Sequence, residues 1–244
     1  MIPSFKSAVV GSVLATGLAF SGAASAGITL DTSALKADAI LQLGNVAYNV
    51  SSAAYIEFGA LANTTKLSDG LEWSETLQKD VPVPRYNMPV TKATISIGWD
   101  LKVHANSGQS SRSALILKRG YADVVLANFS IDFDKEIVYA DVFTAGKLTK
   151  AKATVYDFDV VEPQKISFKN LVLNQSVKIG KLKLTQEAQD LLGDGLYIED
   201  ILRPQLAALD FGTISVLVTS YKRTPKANAT PFTAADVPAN PDRP

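Results

Sequence analysis

The chain has 244 residues, 24 Lys and Arg against 24 Asp and Glu, one His and no Cys. That balance leaves no basic patch for nucleic acid and no net pull towards an anionic membrane. Without Cys there is no disulfide, thiol chemistry or Cys-ligated metal, and the single His104 excludes a His-rich metal site.

Residues 1–26 read as an export signal. Lys6 gives a small positive region, Ala8 to Phe20 a short apolar run, and Ala24-Ser25-Ala26 a small-residue cleavage site before Gly27. The apolar run is too short and too rich in Gly, Ser and Thr to span a membrane. The rest of the chain has no such stretch, so no transmembrane span is expected after cleavage. A secreted, periplasmic or envelope location in a bacterium follows. Asn49, Asn63, Asn128, Asn174 and Asn228 all stand in N-x-S/T sequons, which is the cue for the alternative, a eukaryotic glycoprotein.

From Gly27 on, the pattern predicts one domain over 27–223, followed by a loose Pro- and Ala-rich tail over 224–244. Ser33 to Leu43 reads as a short helix capped by Thr32 or Ser33, with Leu35, Ala39, Ile40 and Leu43 on one stripe and Gly44 closing it. Residues 71–89 contain Pro82, Pro84 and Pro89 and read as loop or edge. Ala93 to His104 alternates cleanly, with Ile95, Ile97, Trp99 and Leu101 on the apolar phase. Asn106-Ser107-Gly108 is read as the turn, and Leu115 to Leu117 as the return strand.

Further strands are expected at Val124 to Phe133, Ile137 to Phe143, Thr154 to Val160, Ile166 to Leu173, Val177 to Leu184 and Thr213 to Tyr221. The apolar phase shifts at Gly180, which predicts a β-bulge. Thr185 is expected to cap a helix with Glu187 in its first turn, ending at Gly193. A third helix around Ile198 to Leu209 is interrupted by Pro204. The first two helices share a strand–cap–helix–Gly wording, so they are either an internal repeat or two independent caps. The fold class is mainly β: an antiparallel sandwich or a partly closed barrel with two or three short helices. An outer-membrane barrel is disfavoured, because no terminal aromatic strand closes it and helices do not fit the wall.

Candidate chemistry is sparse. No nucleotide loop, nucleophile elbow or catalytic triad is present. Asp132, Asp134 and Glu136 alternate with apolar residues, as do Asp157 and Asp159. If those strands paired, five carboxylates would converge. That would suit calcium, or a carboxylate pair for glycoside hydrolysis. The simpler reading is a solvated strand face, with Lys135, Lys150 and Lys152 as neutralising neighbours. Trp73, Trp99, Tyr86, Tyr121 and Tyr139 offer stacking surfaces for a sugar or porphyrin. Trp99 belongs to the core by phase, which leaves Trp73 in the irregular segment as the ligand-binding candidate.

The run VHANSGQSSRSALILKRGYADVVLANFSIDFDKEIVYADV resembles the middle of HtaA-type domains, secreted bacterial β-rich modules. Those carry a strand ending near a Gly-His, a turn, and strands closing on a YADV-like step. Tyr139-Ala140-Asp141-Val142 and His104 occupy comparable places, and the closing LKLTQEAQDLL and DFGTISV resemble the ends of exported β-rich bacterial proteins. The family's Gly-His-x-Gly wording and its N-terminal Trp and Tyr block are not found here. The resemblance implies haem binding through His104 and Tyr139. The residues themselves favour a non-enzymatic exported protein that takes no cofactor and binds a small molecule or an envelope or surface partner. Haem binding and a carboxylate-dependent hydrolase are the alternatives.

Overall fold

The structure, a computed structural model, describes residues 27–97, 103–169 and 172–240. The predicted signal segment, Trp99 and Leu101 lie outside them. The strands are β1 (Ile28–Asp31), β2 (Leu35–Leu43), β3 (Glu57–Ala62), β4 (Thr65–Lys66), β5 (Gly70–Ser74), β6 (Lys79–Val83) and β7 (Arg85–Pro89). They continue as β8 (Lys92–Ile97), β9 (Val103–Arg119), β10 (Ala122–Asp132), β11 (Ile137–Thr144), β12 (Lys147–Lys169), β13 (Val172–Leu184) and β14 (Gly212–Lys222). Three helices accompany them: α1 (Asn45–Ala53), α2 (Gln186–Gly195) and α3 (Arg203–Ala208).

Among the described residues, twelve strands form one antiparallel sheet in the order β1-β8-β9-β10-β11-β12-β13-β14-β2-β7-β4, with β3 also paired to β9. The sheet curls on itself into a half-barrel, which decides between sandwich and barrel. No helix among the described residues is long and apolar enough to cross a membrane. The core fills the concave side: Ala37, Ala39, Leu41 and Leu43 of β2, Leu126, Phe129 and Ile131 of β10, Val138, Ala140 and Val142 of β11, and Ile179, Leu182 and Leu184 of β13. Leu192 and Leu196 from the α2 region close over it.

Several sequence expectations are corrected. Ser33 to Leu43 contains strand β2, because Ala37, Ala39, Leu41 and Leu43 repeat every second residue into the core. Gly44 therefore starts α1 instead of ending a helix. No side chain of its own caps α1; Glu72 of β5 reaches over and accepts from Asn45 N at 2.8 Å. The proposed internal repeat disappears with the first helix.

Residues 71–89 hold the β5–β6 hairpin and β7. Pro82 is tolerated because β6 pairs on one side only. Asn106 to Gly108 is not a turn: it lies within β9, opposite Thr94 and Ala93 of β8. Thr154 to Val160 and Ile166 to Lys169 are parts of one long strand, β12. The bulge at Gly180 is present, with Lys181 at φ 53° opposite the Asp157–Asp159 step. Thr185 caps α2 as expected, its hydroxyl accepting from Ala188 N, but α2 continues past Gly193 to Gly195. Pro204 opens α3 instead of interrupting it, since a first-turn proline lacks only an N–H that would be unpaired anyway.

The largest correction concerns the tail. Residues 224–240 return along the convex side as a strap. Phe232, 3% exposed, packs on Ala114, Ile116, Val125, Ala127 and Phe143, with the Phe143 and Phe232 rings edge-on at 5.6 Å. One aromatic anchor is enough where a segment-wide pattern is absent. Polar ties flank it: Arg112 pairs with Asp236, Lys226 with Asp31 at 3.1 Å, and Arg223 with Asp38 at 2.7 Å.

Two of these carboxylates are held below the usual range. Ser33 N–H and hydroxyl, with Lys226, bring Asp31 down to about 2. Thr233 N–H and hydroxyl, with Arg112, lower Asp236. Each favours the ionised form in the folded state, so its contribution is complete above the ordinary carboxylate value and is lost as pH falls through the depressed one. The urea midpoint should therefore drop between about pH 4 and pH 2 more steeply in the wild type than in Asp31→Asn/Asp236→Asn. Parallel curves would refute this.

Candidate functional site

A line of left-handed residues crosses the sheet where it bends: Ala62 at the end of β3, Arg112 in β9, Asn128 in β10 and Lys152 in β12, at φ 54°, 59°, 53° and 50°. Arg112, Asn128 and Lys152 lie at breaks in strand register, and Ala62 is the last pair of the β3–β9 ladder, opposite Ser113. Such bulges free backbone groups that need partners. Here two side chains supply them. Asn128 Oδ1 accepts from Arg112 N at 3.0 Å, and its Nδ2 donates to Asp141 Oδ2 at 2.7 Å. Asp141 Oδ1 accepts from Lys152 N at 2.8 Å. Asn128 also exchanges two bonds with the strap, accepting from Phe232 N at 2.7 Å and donating to Phe232 O at 2.9 Å.

The bulge line also switches what the convex face presents. On one side of it Val125 and Ala127 lie under Phe232. Beyond Asn128 the phase of β10 reverses, sending Phe129 and Ile131 into the core and Ser130 and Asp132 outward. An open basin of about 430 Å³ results, lined by Gln109, Asn128, Ser130, Asp132, Tyr139, Asp141 and Lys152 among others. Gln109, Ser130, Tyr139 and Thr154 form one cross-strand row through four strands. Tyr139 is half-buried in it, and Lys152 Nζ stands 5.1 Å from the centre of its ring. The basin thus offers an aromatic ring, an ammonium group, two carboxylates and neutral amide and hydroxyl groups.

The predicted site residues disperse. Asp132 lies in the basin but is already engaged, accepting from Asp134 N and Lys135 N and pairing with Lys135 at 3.3 Å. Asp134 and Glu136 belong to the β10–β11 turn, not to a strand face, and Asp134 accepts from Asn106 Nδ2. Asp157 shares a cross-strand row with Asp132 through Ile137, two strand spacings away, about 10 Å. Asp159 pairs with Lys181 at 2.7 Å, which lowers its pKa through that hydrogen bond. The two acidic strands do not pair, because β11 lies between them. Among the described residues no three His, Asp or Glu side chains are grouped as a metal ion requires.

Lys135 neutralises Asp132 as expected. Lys150 pairs instead with Glu187, and Lys152 with the Tyr139 ring.

His104 is exposed on β9 opposite Ser96. It lies five residues along from Gln109 and two strands across from Tyr139, roughly 15 Å by strand rise and further by spacing. The two do not converge on one ligand atom, so a His104–Tyr139 axial pair for haem does not fit. Trp73, 49% exposed, sits on the separate β5–β6 hairpin, where its carbonyl accepts from Asn45 Nδ2. Tyr86 is core, its hydroxyl donating to Phe58 O and its pKa raised by burial to about 12. Among the described residues, Trp73, Tyr86 and Tyr139 therefore share no single surface.

Sequence reasoning found Tyr139 and Asp132 and placed Lys152 beside the acidic strands only as a neutralising charge; it missed Gln109, Asn128 and Asp141 as site residues. Asp141 was visible within the YADV step. The others depend on register across bulges.

The architecture is that of a β-rich half-barrel with a polar basin on its convex face. No protein-family model matches the chain, and no curated protein matches it. Among solved structures, the crystal structure of the C-terminal domain of HtaA from Corynebacterium glutamicum is similar, at 14% identity and a TM-score of 0.41 over 76% of this chain and 98% of that one.

Proposed function

We propose that this is an exported, non-enzymatic binding protein of a bacterial envelope or cell surface, and that it holds a small polar molecule in the convex-face basin. The observation that carries the reading is the Gln109–Ser130–Tyr139 row with Lys152 over the Tyr139 ring. A half-buried aromatic ring can stack on a small ligand while the polar groups around it orient the ligand by hydrogen bonds. Export rests on the leader-like residues 1–26 and on the absence of Cys. The non-enzymatic reading rests on the dispersal of the carboxylates and on Asp132 being committed to its turn.

A second reading is haem held through Tyr139 alone, favoured by that ring's place in the basin and by a neighbouring cation suited to a carboxylate on the ligand.

A thermal-shift panel of haemin, neutral and acidic monosaccharides, amino acids and calcium chloride tests these readings. The expected result is a shift with one small polar compound, lost in Tyr139→Ala and weakened roughly tenfold or more in Gln109→Ala. A haemin shift with a Soret band lost in Tyr139→Ala and kept in His104→Ala would select the second reading. A ligand shift unchanged in Tyr139→Ala would overturn the basin assignment.

A further inference from the structure

The tripeptide Tyr-Ile-Glu occurs twice, at 55–57 and 197–199, and each copy follows the C-cap of a helix, Ala54 for α1 and Leu196 for α2. The backbone closes identically in both. Tyr55 N donates to Ser52 O and Ile56 N to Ser51 O; Tyr197 N donates to Asp194 O and Ile198 N to Gly193 O. These are two Schellman closures with Tyr in the left-handed position, at φ 59° and 51°. Glycine is the ordinary occupant there, because a Cβ crowds the following carbonyl.

Burial accounts for Ile56 and Ile198, which sit in the core. It does not account for the tyrosines, which are 81% and 65% exposed. Arg119 lies between the two helix ends, its Nε donating to Ala54 O and its Nη1 to Leu196 O and Tyr197 O. One cation thus ties two helix C-termini together and fixes the spacing of the two tyrosines. Tyr121, two residues on in the β9–β10 turn, is 53% exposed, with its ring 5.7 Å from that of Tyr197. Glu57 and Glu199 are exposed beside them.

We propose that Tyr55, Tyr121 and Tyr197, with Glu57 and Glu199, form a platform for a neutral saccharide chain. Exposed phenol rings stack on the C–H faces of sugar rings, and phenol and carboxylate oxygens accept hydrogen bonds from sugar hydroxyls. The carboxylates disfavour nucleic acid and phosphorylated glycans. Two crowded backbone positions kept at one surface, each presenting a solvent-facing ring, point to a role for the rings themselves. Anchoring both through Arg119 lowers the ordering cost of binding.

Native affinity electrophoresis of the intact protein through gels carrying hydroxyethylcellulose, xylan, glucomannan or dextran tests the proposal. Retardation by at least one of them is expected. Tyr55→Gly/Tyr197→Gly should melt at or above the wild-type temperature yet lose roughly tenfold or more in affinity. Tyr121→Ala, which leaves the hydrogen bonds of both helix closures in place, should show the same loss. Tyr139→Ala should bind as the wild type does, which separates this platform from the basin. Free migration in all four gels would overturn the proposal, as would retardation that survives Tyr55→Gly/Tyr197→Gly. Salt-sensitive binding to heparin alone, or a dimer in sedimentation that the tyrosine substitutions dissolve, would assign the surface to a polyanion or to a second copy instead.

Discussion

Phe232→Ala is expected to destabilise the protein by about 3 kcal/mol and to free the C-terminal strap. Deletion of a buried phenyl ring costs about 3–5 kcal/mol, and the lower end applies because the strap can lift off and let water in, so that no closed cavity is left. The ring is 3% exposed and is the only residue of the strap buried with the cluster of Ala114, Ile116, Val125, Ala127 and Phe143, while Val237 packs against that cluster partly buried. Losing it uncovers an apolar patch on a convex face that is otherwise wet. Urea denaturation should show the loss directly. Limited trypsin digestion should cut after Arg223 and Lys226 in the variant well before the wild type. Equal stability and equal protection would mean that the strap contributes nothing to the fold.

Asn128→Ala should cost a comparable amount, about 3 kcal/mol, for a different reason. The side chain makes four hydrogen bonds: to Arg112 N, to Asp141, and to both the N–H and the carbonyl of Phe232. Truncation leaves two backbone N–H groups without their acceptor, at about 1–3 kcal/mol for each that stays dry. It also places Ala at φ 53°, where Asn is better tolerated. Asn128→Asp should fall between, since it keeps the acceptor but sets a second carboxylate against Asp141. Because Asn128 and Phe232 hold the same strap, the double variant should lose less than the two single losses together. Full additivity in urea melts would show that the asparagine acts on the sheet bend alone.

The same asparagine bears on glycosylation. Asn128 and Asn63 stand in sequons, yet each commits its amide nitrogen inside the fold, Asn63 to Ser111 O and Asn228 O. A glycan leaves one N–H on the nitrogen, so at least one of the two bonds donated by each amide would be lost.

How far the sequence could be read follows the reach of each signal. Strands β10 and β11 were legible because their alternation is local and unbroken up to the bulge, and the shift at Gly180 was legible because it interrupts such a pattern. β2 was misread because Leu35, Ala39, Ile40 and Leu43 satisfy a helical stripe as well as Ala37, Ala39, Leu41 and Leu43 satisfy a strand. Alanine does not discriminate between the two. The strap was invisible because one phenylalanine, ion pairs such as Arg112–Asp236 and hydrogen bonds from distant residues such as Asn128 hold it, with no periodicity. Tyr139 was legible from the YADV step, but its neighbours Gln109 and Lys152 reach it only through cross-strand register. That register shifts at Asn128 and Lys152, and neither shift is marked by a glycine. The Tyr-Ile-Glu pair lay in plain view, and its meaning required two helix ends and the arginine between them.

Occupancy of the convex-face basin by a small ligand is read from the native mass of the protein recovered from its own host, wild type beside Tyr139→Ala. A discrete mass increment is expected on the wild-type chain and is absent from Tyr139→Ala. A bare chain mass in the wild type, or an increment that Tyr139→Ala retains in full, would contradict it.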